Sequence, residues 1–536
     1  MHGRRRWRLP GALGPATAYP EPQGRERPFR PGWEVSATVR PLPSLLQAIP
    51  GQRSGPWAGA AVSGVAIDSR RVLPGDLFAA LPGQHHDGAA FLQEAVTRGA
   101  AALLLPLGVP APAGLPALAT ADVRAALAAA SAAFFDHPSR EIDVFGVTGT
   151  NGKTTVATML AHILERAGRR AAYWTTSEVA SGARRFRPTL TTPESCDLQR
   201  FLREAADAGA TAACIEVSSH GVVQRRIAEL AFRGGAVTNV TADHLDFHGS
   251  VEAYRAAKAG FVRALAPGAP CLVNADDPGA TAVAAGAAAD VIPYGLGPGA
   301  RLRGAQVEVS EQECRCLVTL PGCCTDLPLR VPLPGRHNIH NALAAFGLAV
   351  AAGIAPHAAA EALEALLPPA RRLRVQRFGG RSVIDDVAMN EASFDAVCAA
   401  VAELGYPQVV AVVALRGNRG EQVNAEIAAC LARWAPVLGL APLHVSLSRR
   451  ALQRYAADLQ VRPEEMGAFA AAARQGGLAL EIHTELDDAL GAACGRLAPG
   501  GALLLLGTFG MDDGCGIAAG ILGGRGTEPF PLPALG

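Results

Sequence analysis

The stretch GVTGTNGKTTVATML, residues 146 to 160, constrains this chain more than any other: an apolar run that reads as a strand ends in a glycine-bearing turn and passes into a helix-like run. The turn leaves backbone N–H groups free to point at phosphate oxygens, and a helix starting near Lys153 adds the positive end of its dipole. In this pattern Gly149, Thr150, Asn151, Gly152, Lys153, Thr154 and Thr155 form a cradle, with Lys153 reaching the terminal phosphates and the Thr154 hydroxyl ligating Mg²⁺. The strict pattern has Gly where Val147 stands, with Gly146 one place earlier, so the loop is a variant. A glycine turn that merely joins strand to helix explains less, because Gly-Lys-Thr-Thr in strand–loop–helix context is specific.

At 536 residues the chain is too long for one core, and three or four domains are expected. Hydrophobic residues make up 49% and charged ones 18%, which excludes a mainly disordered protein. A net charge of +1 argues against a chain-wide footprint for nucleic acid or anionic membrane and favours small-molecule partners. Of the 11 cysteines, the only close set (Cys314, Cys316, Cys323, Cys324) fits no common zinc spacing, so they read as reduced thiols of a cytoplasmic protein. No apolar run is long and unbroken enough to cross a bilayer.

Texture divides the chain. Residues 1–36 are rich in Arg and Pro and read as a disordered basic arm. From 37 to 138, β-like runs (SGVAIDSR, GDLFAAL) alternate with helical ones (AAFLQEAVTRGAAALLL, ADVRAALAAASAAFF). From 139 to 366, the strands EIDVFGVTG, AACIEVSS, GGAVTNV and APCLVNA each precede a helical stretch, which predicts a parallel sheet flanked by helices, active at the strands' carboxyl ends. From 367 to 525 the alternation resumes with SVIDDVA, VVAVVAL, PLHVSL and ALLLLGTFG, and 526–536 is a loose Pro-rich tail. The fold class is therefore α/β throughout.

The residues beyond the loop narrow its use. EVSSHGVVQRRI (216 to 227) follows a predicted strand, where Glu216 can face a Mg²⁺-phosphate site. VTNVTADHLDFHGS ends another strand with His244 and His248 at its tip, and such residues are poor core material.

With these motifs in place the chain resembles the Mur ligase family, the ATP-dependent amide-forming ligases of peptidoglycan synthesis. TGTNGKTT, TLTTPES, EVSSHGVVQRR, TNVTADHLDFHGSVEAYRAAK, LVNADD and GRHNIHNALAA occur together and in the family's order over residues 40 to 366. SGVAIDSRRVLPGDLFAALPG is most similar to the UDP-binding domain of the UDP-N-acetylmuramoyl-tripeptide synthetases (MurE type). The resemblance implies three domains: an N-terminal UDP-binding α/β domain, a central P-loop domain and a C-terminal Rossmann-like domain. It also implies a reaction in which ATP phosphorylates the carboxylate of a UDP-MurNAc-peptide and an amino acid's amine attacks the acyl phosphate. The main demand is then to neutralise charge while holding two anions together.

The same resemblance distributes roles. Thr154, Glu216, His244 and Lys258 match Mg²⁺ ligands, two ions being expected, and Lys258 matches the lysine that these ligases carbamylate, which turns a cation into an anion. Lys153, His244 and Lys258 match the catalytic set, and Asn338 and Asn341 the adenine-side contacts. Ser69 matches the uracil-end contact, while Thr191, Thr192, Ser218, Gln224 and Arg226 match residues that hold the muramoyl peptide and its diphosphate. Taken singly, Lys258 could be a plain surface lysine, the asparagines helix-start residues and the others ordinary polar positions. The expected substrates are a UDP-MurNAc-peptide and an amino acid, with no nucleic acid, no membrane span and a monomeric chain.

The third segment departs from the family. Its SVIDDVAMNEASF lacks the Asp-Tyr-Ala-His-(Thr/Asn)-Pro continuation, keeping the Asp385-Asp386 pair. The Asp-Asn-Pro-Arg signature for diaminopimelate is absent, HVSLSRR standing there, and GTFGMDD replaces Gly-Lys-Gly-His-Glu. Diaminopimelate is thus disfavoured as the amino acid added. Arg416, Asn418 and Arg419, in a glycine-rich turn before a helix, are an expected anion or nucleotide contact. The alternatives are a paralogue joining a different acid and amine, and a non-catalytic Mur-like nucleotide-binding protein. Against the second stand Lys153, Thr154, Glu216, His244 and Lys258, retained together. Folate polyglutamate ligases share the ATP core but would leave a UDP-binding domain idle.

Overall fold

The computed structural model describes residues 38–83, 87–241, 243–440, 442–453 and 459–523; the side chains of 245 and 246 are not described. The expected basic arm and the whole of the expected tail lie outside these residues. Among the described residues, besides a two-stranded antiparallel pair of Arg40–Pro41 with Ala61–Val62, three larger sheets follow one another along the chain.

The first runs in the order Gln52–Ser54, Ala117–Thr120, Ala102–Pro106, Asp76–Ala79, Gly64–Ala66, parallel except for its first strand. Sequence periodicity extended one helix from 89 through 105. The helix instead stops at Thr97, because Gly99 takes φ +95°, and the following leucines form a strand buried on both faces.

The central sheet has eleven strands in the order Arg184–Phe186, Val179–Ser181, Ala171–Trp174, Ala212–Glu216, Asp143–Thr148, Phe232–Val237, Pro270–Asn274, Asp290–Gly295, Leu302–Val309, Cys314–Leu320, Cys324–Val331. It is parallel from Ala171–Trp174 to Leu302–Val309 and antiparallel at both ends, which corrects the expectation of a parallel sheet throughout. The connection after Val309 and the one after Leu320 span only a few residues, enough for hairpins but not for a parallel crossover.

The loop strand Asp143–Thr148 sits mid-sheet, flanked on both sides by parallel partners. Val147, where the strict motif has glycine, pairs with Glu216 and Ala236 and is fully buried. That position therefore belongs to the strand's core, where a valine contributes about 1.5–3 kcal/mol of burial, and not to the phosphate-binding turn. The helix Lys153–Arg166 covers one face with Val156, Leu160 and Ile163 packed against Leu343 and Phe346 of the helix Arg336–Ala351. The opposite face is closed by Phe201, Leu202 and Phe261.

The third sheet runs Arg374–Phe378, Arg381–Asp386, Ala502–Leu506, Val409–Ala414, Leu443–Ser446, Leu480–His483. Only the hairpin at its first edge, turned by Gly379 and Gly380, is antiparallel. No helix among the described residues is long and apolar enough to cross a membrane. The cysteines are free and mostly buried.

Candidate functional site

The site is built on the carboxyl end of the central strand. Gly149 and Gly152 both take φ values that side chains resist, +149° and +86°. A methyl at Gly149 would lie 1.9 Å from the Thr238 hydroxyl, and one at Gly152 would lie 2.4 Å from Asn341 Oδ1. The turn is glycine at these two places because neighbouring strand and helix press directly on its backbone. It is held from the next strand, since Thr150 N donates to Asn239 O at 2.7 Å and Asn151 N to Asn239 Oδ1 at 2.9 Å.

Lys153 Nζ donates to Gly149 O and Thr150 O at 3.0 and 2.8 Å, so its ammonium folds over the loop. Burial pulls its pKa down, partly countered by Glu216 and Asp243. Thr154 Oγ1 donates to Glu216 Oε1 at 2.6 Å. Glu216 also accepts from Thr176 N and Thr176 Oγ1 at 2.8 and 3.0 Å. This carboxylate is 1% exposed and forms no ion pair among the described residues. A buried anion surrounded by hydroxyls and an amide is a fit for a cation.

Lys258, on the helix Val251–Ala264, is 1% exposed. Its Nζ donates to Gly149 O at 2.7 Å and lies 4.5 Å from the centre of the Tyr254 ring. Burial, with Lys153 nearby, drives its pKa well below the ordinary lysine value. A plain surface lysine is thereby excluded. His244 takes φ +52° and lies beside Asp243 (Nε2 to Oδ2 3.9 Å), its ring 4.9 Å from that of His220.

The remaining expected residues separate into groups. Thr191 Oγ1 lies 3.0 Å from Thr176 Oγ1, next to Glu216. Thr192 Oγ1 donates to Glu216 O at 2.8 Å and accepts from Ser218 N at 2.9 Å. Arg226 donates to Thr192 O at 2.8 Å, reaches Gln224 Oε1 and pairs with Glu194 at 2.9 Å. Thr191, Thr192, Ser218, Gln224 and Arg226 thus form one connected polar wall running away from Glu216. Ser69 stands apart in the first domain, buried and donating to Glu94 at 2.7 Å.

A cavity of about 270 Å³ adjoins the loop, lined by Asn151, Gly152 and Thr155, by Asn338 and Asn341, and from the third sheet's side by Arg372, Asp386 and Met389. Asn338 donates to Pro334 O at 2.7 Å and Asn341 to Asn338 Oδ1 at 3.2 Å, which fixes both amides against the cavity. Of the aspartate pair only Asp386 faces it, raised to about 6 by burial, with Arg372 opposing; Asp385 is bonded to Arg371 at 3.1 Å. The turn at Arg416, Asn418 and Arg419 holds an anion from the chain itself: Arg419 N and Gly420 N donate to Glu465 Oε1 at 3.1 and 3.0 Å. Those two amides are committed to Glu465 of the helix Pro463–Gln475.

Two residues without a site signal in the sequence are brought here by the structure. Arg372 Nη2 donates to Thr154 Oγ1 at 3.2 Å. Asn390 accepts from Asn151 Nδ2 at 3.1 Å and donates to Asp243 Oδ2 at 3.0 Å. In sequence Arg372 is one of two arginines after a Pro-Pro-Ala turn, and Asn390, three places before Ser393, carries the signature of a helix cap and nothing more.

A P-loop at the centre of a mostly parallel sheet, met by a second α/β sheet that lends an arginine and an asparagine to it, defines a multidomain nucleotide-binding enzyme. Family models agree in detail: "Mur ligase middle domain" matches residues 147–349 and "Mur ligase family, catalytic domain" residues 61–139. The chain is 33% identical over 508 residues to the UDP-N-acetylmuramoyl-L-alanyl-D-glutamate–2,6-diaminopimelate ligase of Streptomyces coelicolor, covering 93% of this chain and 96% of that protein. It is 35% identical over 385 residues to the ligase of the same name from Geobacter metallireducens, covering 70% and 75%. A crystal structure of MurF from Acinetobacter baumannii superposes with a TM-score of 0.67 at 21% identity, over 91% of this chain and all of that one. The chain belongs to the Mur ligase family.

Proposed function

We propose that this ligase adds the third amino acid to UDP-MurNAc-L-Ala-D-Glu, in the cytoplasm, through an acyl phosphate. The supporting observation is the buried Thr154–Glu216 pair set between the P-loop and the polar wall that ends at Arg226, which gives a phosphoryl-transfer centre with an anion-holding surface beside it. In the first step an oxygen of the substrate carboxylate bonds to the γ-phosphorus of ATP and ADP leaves. In the second the amine attacks the carbonyl carbon, phosphate departs with the C–O electron pair, and the amine gives up a proton.

The loop amides and Lys153 hold the β- and γ-phosphates, Asn338 and Asn341 border the base, and Arg372 approaches from the third domain as it closes. Thr154, Glu216, His244 and Lys258, the last as its carbamate, would hold two Mg²⁺ ions, which would supply charge neutralisation at the transferred phosphoryl group. The displaced pKa of Lys258 suits this role, because only a neutral amine adds CO₂. Thr191, Thr192, Ser218, Gln224 and Arg226 take the muramoyl peptide and its diphosphate, and Ser69 the uracil end.

A second reading rests on the third domain. GTFGMDD and HVSLSRR stand where family signatures for the incoming amino acid are expected, which favours an altered acceptor pocket or a different acid–amine pair. One experiment separates the two: phosphate release from ATP, Mg²⁺ and UDP-MurNAc-L-Ala-D-Glu against lysine, ornithine, diaminopimelate and neutral amino acids. Release dependent on both substrates supports the tripeptide synthetase and names its amino acid. No release with any of them, in a chain that binds ATP, overturns it in favour of another acid–amine pair.

A further inference from the structure

The far edge of the third sheet carries a cluster that the ligase reaction does not use. Parallel pairing sets His444, on Leu443–Ser446, opposite Glu481 on the edge strand Leu480–His483, and His483 two residues further on points to the same side of the sheet. His444 Nδ1 lies 3.3 Å from His483 Nε2 and 3.4 Å from Glu481 Oε2, and all three donor atoms fall within 4.8 Å of one another. His444 is fully buried. The other oxygen of Glu481 is bonded to Arg496, at the end of the helix Leu486–Arg496, which leaves Oε2 turned to the two rings.

The spacing is informative. Zinc binds imidazole nitrogen and carboxylate oxygen at about 2.0–2.2 Å in a tetrahedron, which sets its ligand atoms about 3.3–3.5 Å apart. Two of the three separations already have that value. Two imidazoles and one carboxylate, with the carboxylate's free oxygen held by an arginine, form a donor set suited to Zn²⁺, and an oriented outer partner of this kind is what such sites require. No local sequence signal announces it, because 37 residues separate His444 from Glu481.

We propose that His444, Glu481 and His483 bind one Zn²⁺ ion, with a fourth position open to water, and that the ion clips the edge strand Leu480–His483 onto the sheet. The strand order puts this site three strand spacings or more, roughly 14 Å, from Asp386 at the nucleotide cavity, so the ion is separate from the nucleotide site.

The test is made on the full chain, freed of metal by chelation and titrated with zinc chloride against a chromogenic chelator, with thermal unfolding followed in parallel. Glu481→Gln and His483→Ala, both partly exposed positions that leave the P-loop untouched, are compared with the parent. The expected result is one more equivalent of tight zinc in the parent than in either variant, with affinity falling about 100-fold or more in them. The parent alone gains thermal stability on zinc addition, and Co²⁺ in its place gives the visible absorption of a tetrahedral complex. Equal stoichiometry and affinity in parent and both variants overturns the proposal, since any zinc taken by the Mg²⁺ centre or by cysteines is common to all three. A parent-specific cobalt spectrum of octahedral type overturns the assigned geometry.

Discussion

Asn390 makes two separable contributions. Its carboxamide oxygen caps the helix Glu391–Leu404 by accepting from Ser393 N at 3.0 Å, and the same side chain crosses to the central domain, meeting Asn151 at 3.1 Å and Asp243 at 3.0 Å. Asp243 is mostly buried; burial alone would raise its pKa, but His244, Arg419 and the Asn390 amide together hold it below the usual carboxylate range. A hydrogen bond to such an anion is worth about 1.5–3 kcal/mol and a cap about 1 kcal/mol. Serine keeps the cap but cannot reach Asp243, so Asn390→Ser should leave thermal stability nearly unchanged while costing the closed arrangement about 2 kcal/mol, or roughly 30-fold in kcat/KM for ATP. Asn390→Ala should lose the same activity and a further 1 kcal/mol or so of stability, a shift of about 2–4 °C in a domain of this size. Phosphate release at varied ATP, with unfolding scans of both variants, measures the two effects independently. Wild-type kcat/KM in Asn390→Ser would refute the reasoning that this contact holds the third domain over the nucleotide.

Gly149→Ala should abolish ATP turnover while leaving the other two sheets folded, because its methyl would collide with Thr238 at 1.9 Å; turnover within a few-fold of normal would remove the tight-turn argument. Lys153→Ala should likewise end ATP hydrolysis, read by the same phosphate assay. Lys258→Ala should lose ligation and regain part of it with short carboxylic acids, and full activity without them would rule out the carbamate. His337 beside the cavity is pushed down to about 4 by burial, with His340 adding to the effect. Its unfolded form takes a proton near pH 6.5 and its folded form does not, so stability should fall as pH drops from about 6.5 toward 4. His337→Asn should flatten that part of the pH profile in urea unfolding.

The legible parts of this chain are those where function is written in consecutive residues. The P-loop, Glu216 at a strand end and the His244 loop could each be placed from a motif and the strand that precedes it, and the structure brings them to one end of one sheet. Lys258 needed the structure to exclude the surface reading: an alanine-rich helix looks exposed in sequence, and only its packing against Gly149 and Tyr254 makes it buried. The antiparallel ends of the central sheet escaped because short connections between runs of mixed polarity look like loops. The stretch SVIDDVAMNEASF stands out in sequence only as a departure from the family pattern, whereas the contact across the domains belongs to Asn390 within it.

Residues 146–160 by themselves predict a phosphate-binding turn, because glycine's freedom at two positions and a helix dipole act over a few ångströms of contiguous backbone. What closes on that phosphate is decided by tertiary structure: Arg372 and Asn390 lie more than 200 residues from Thr154 and Asn151, the residues they touch. The same holds for His444, Glu481 and His483, which strand register alone sets on one side of the edge. Local conformational preference can be read along a chain, but the meeting of distant side chains depends on how sheets and domains pack, which no short stretch encodes.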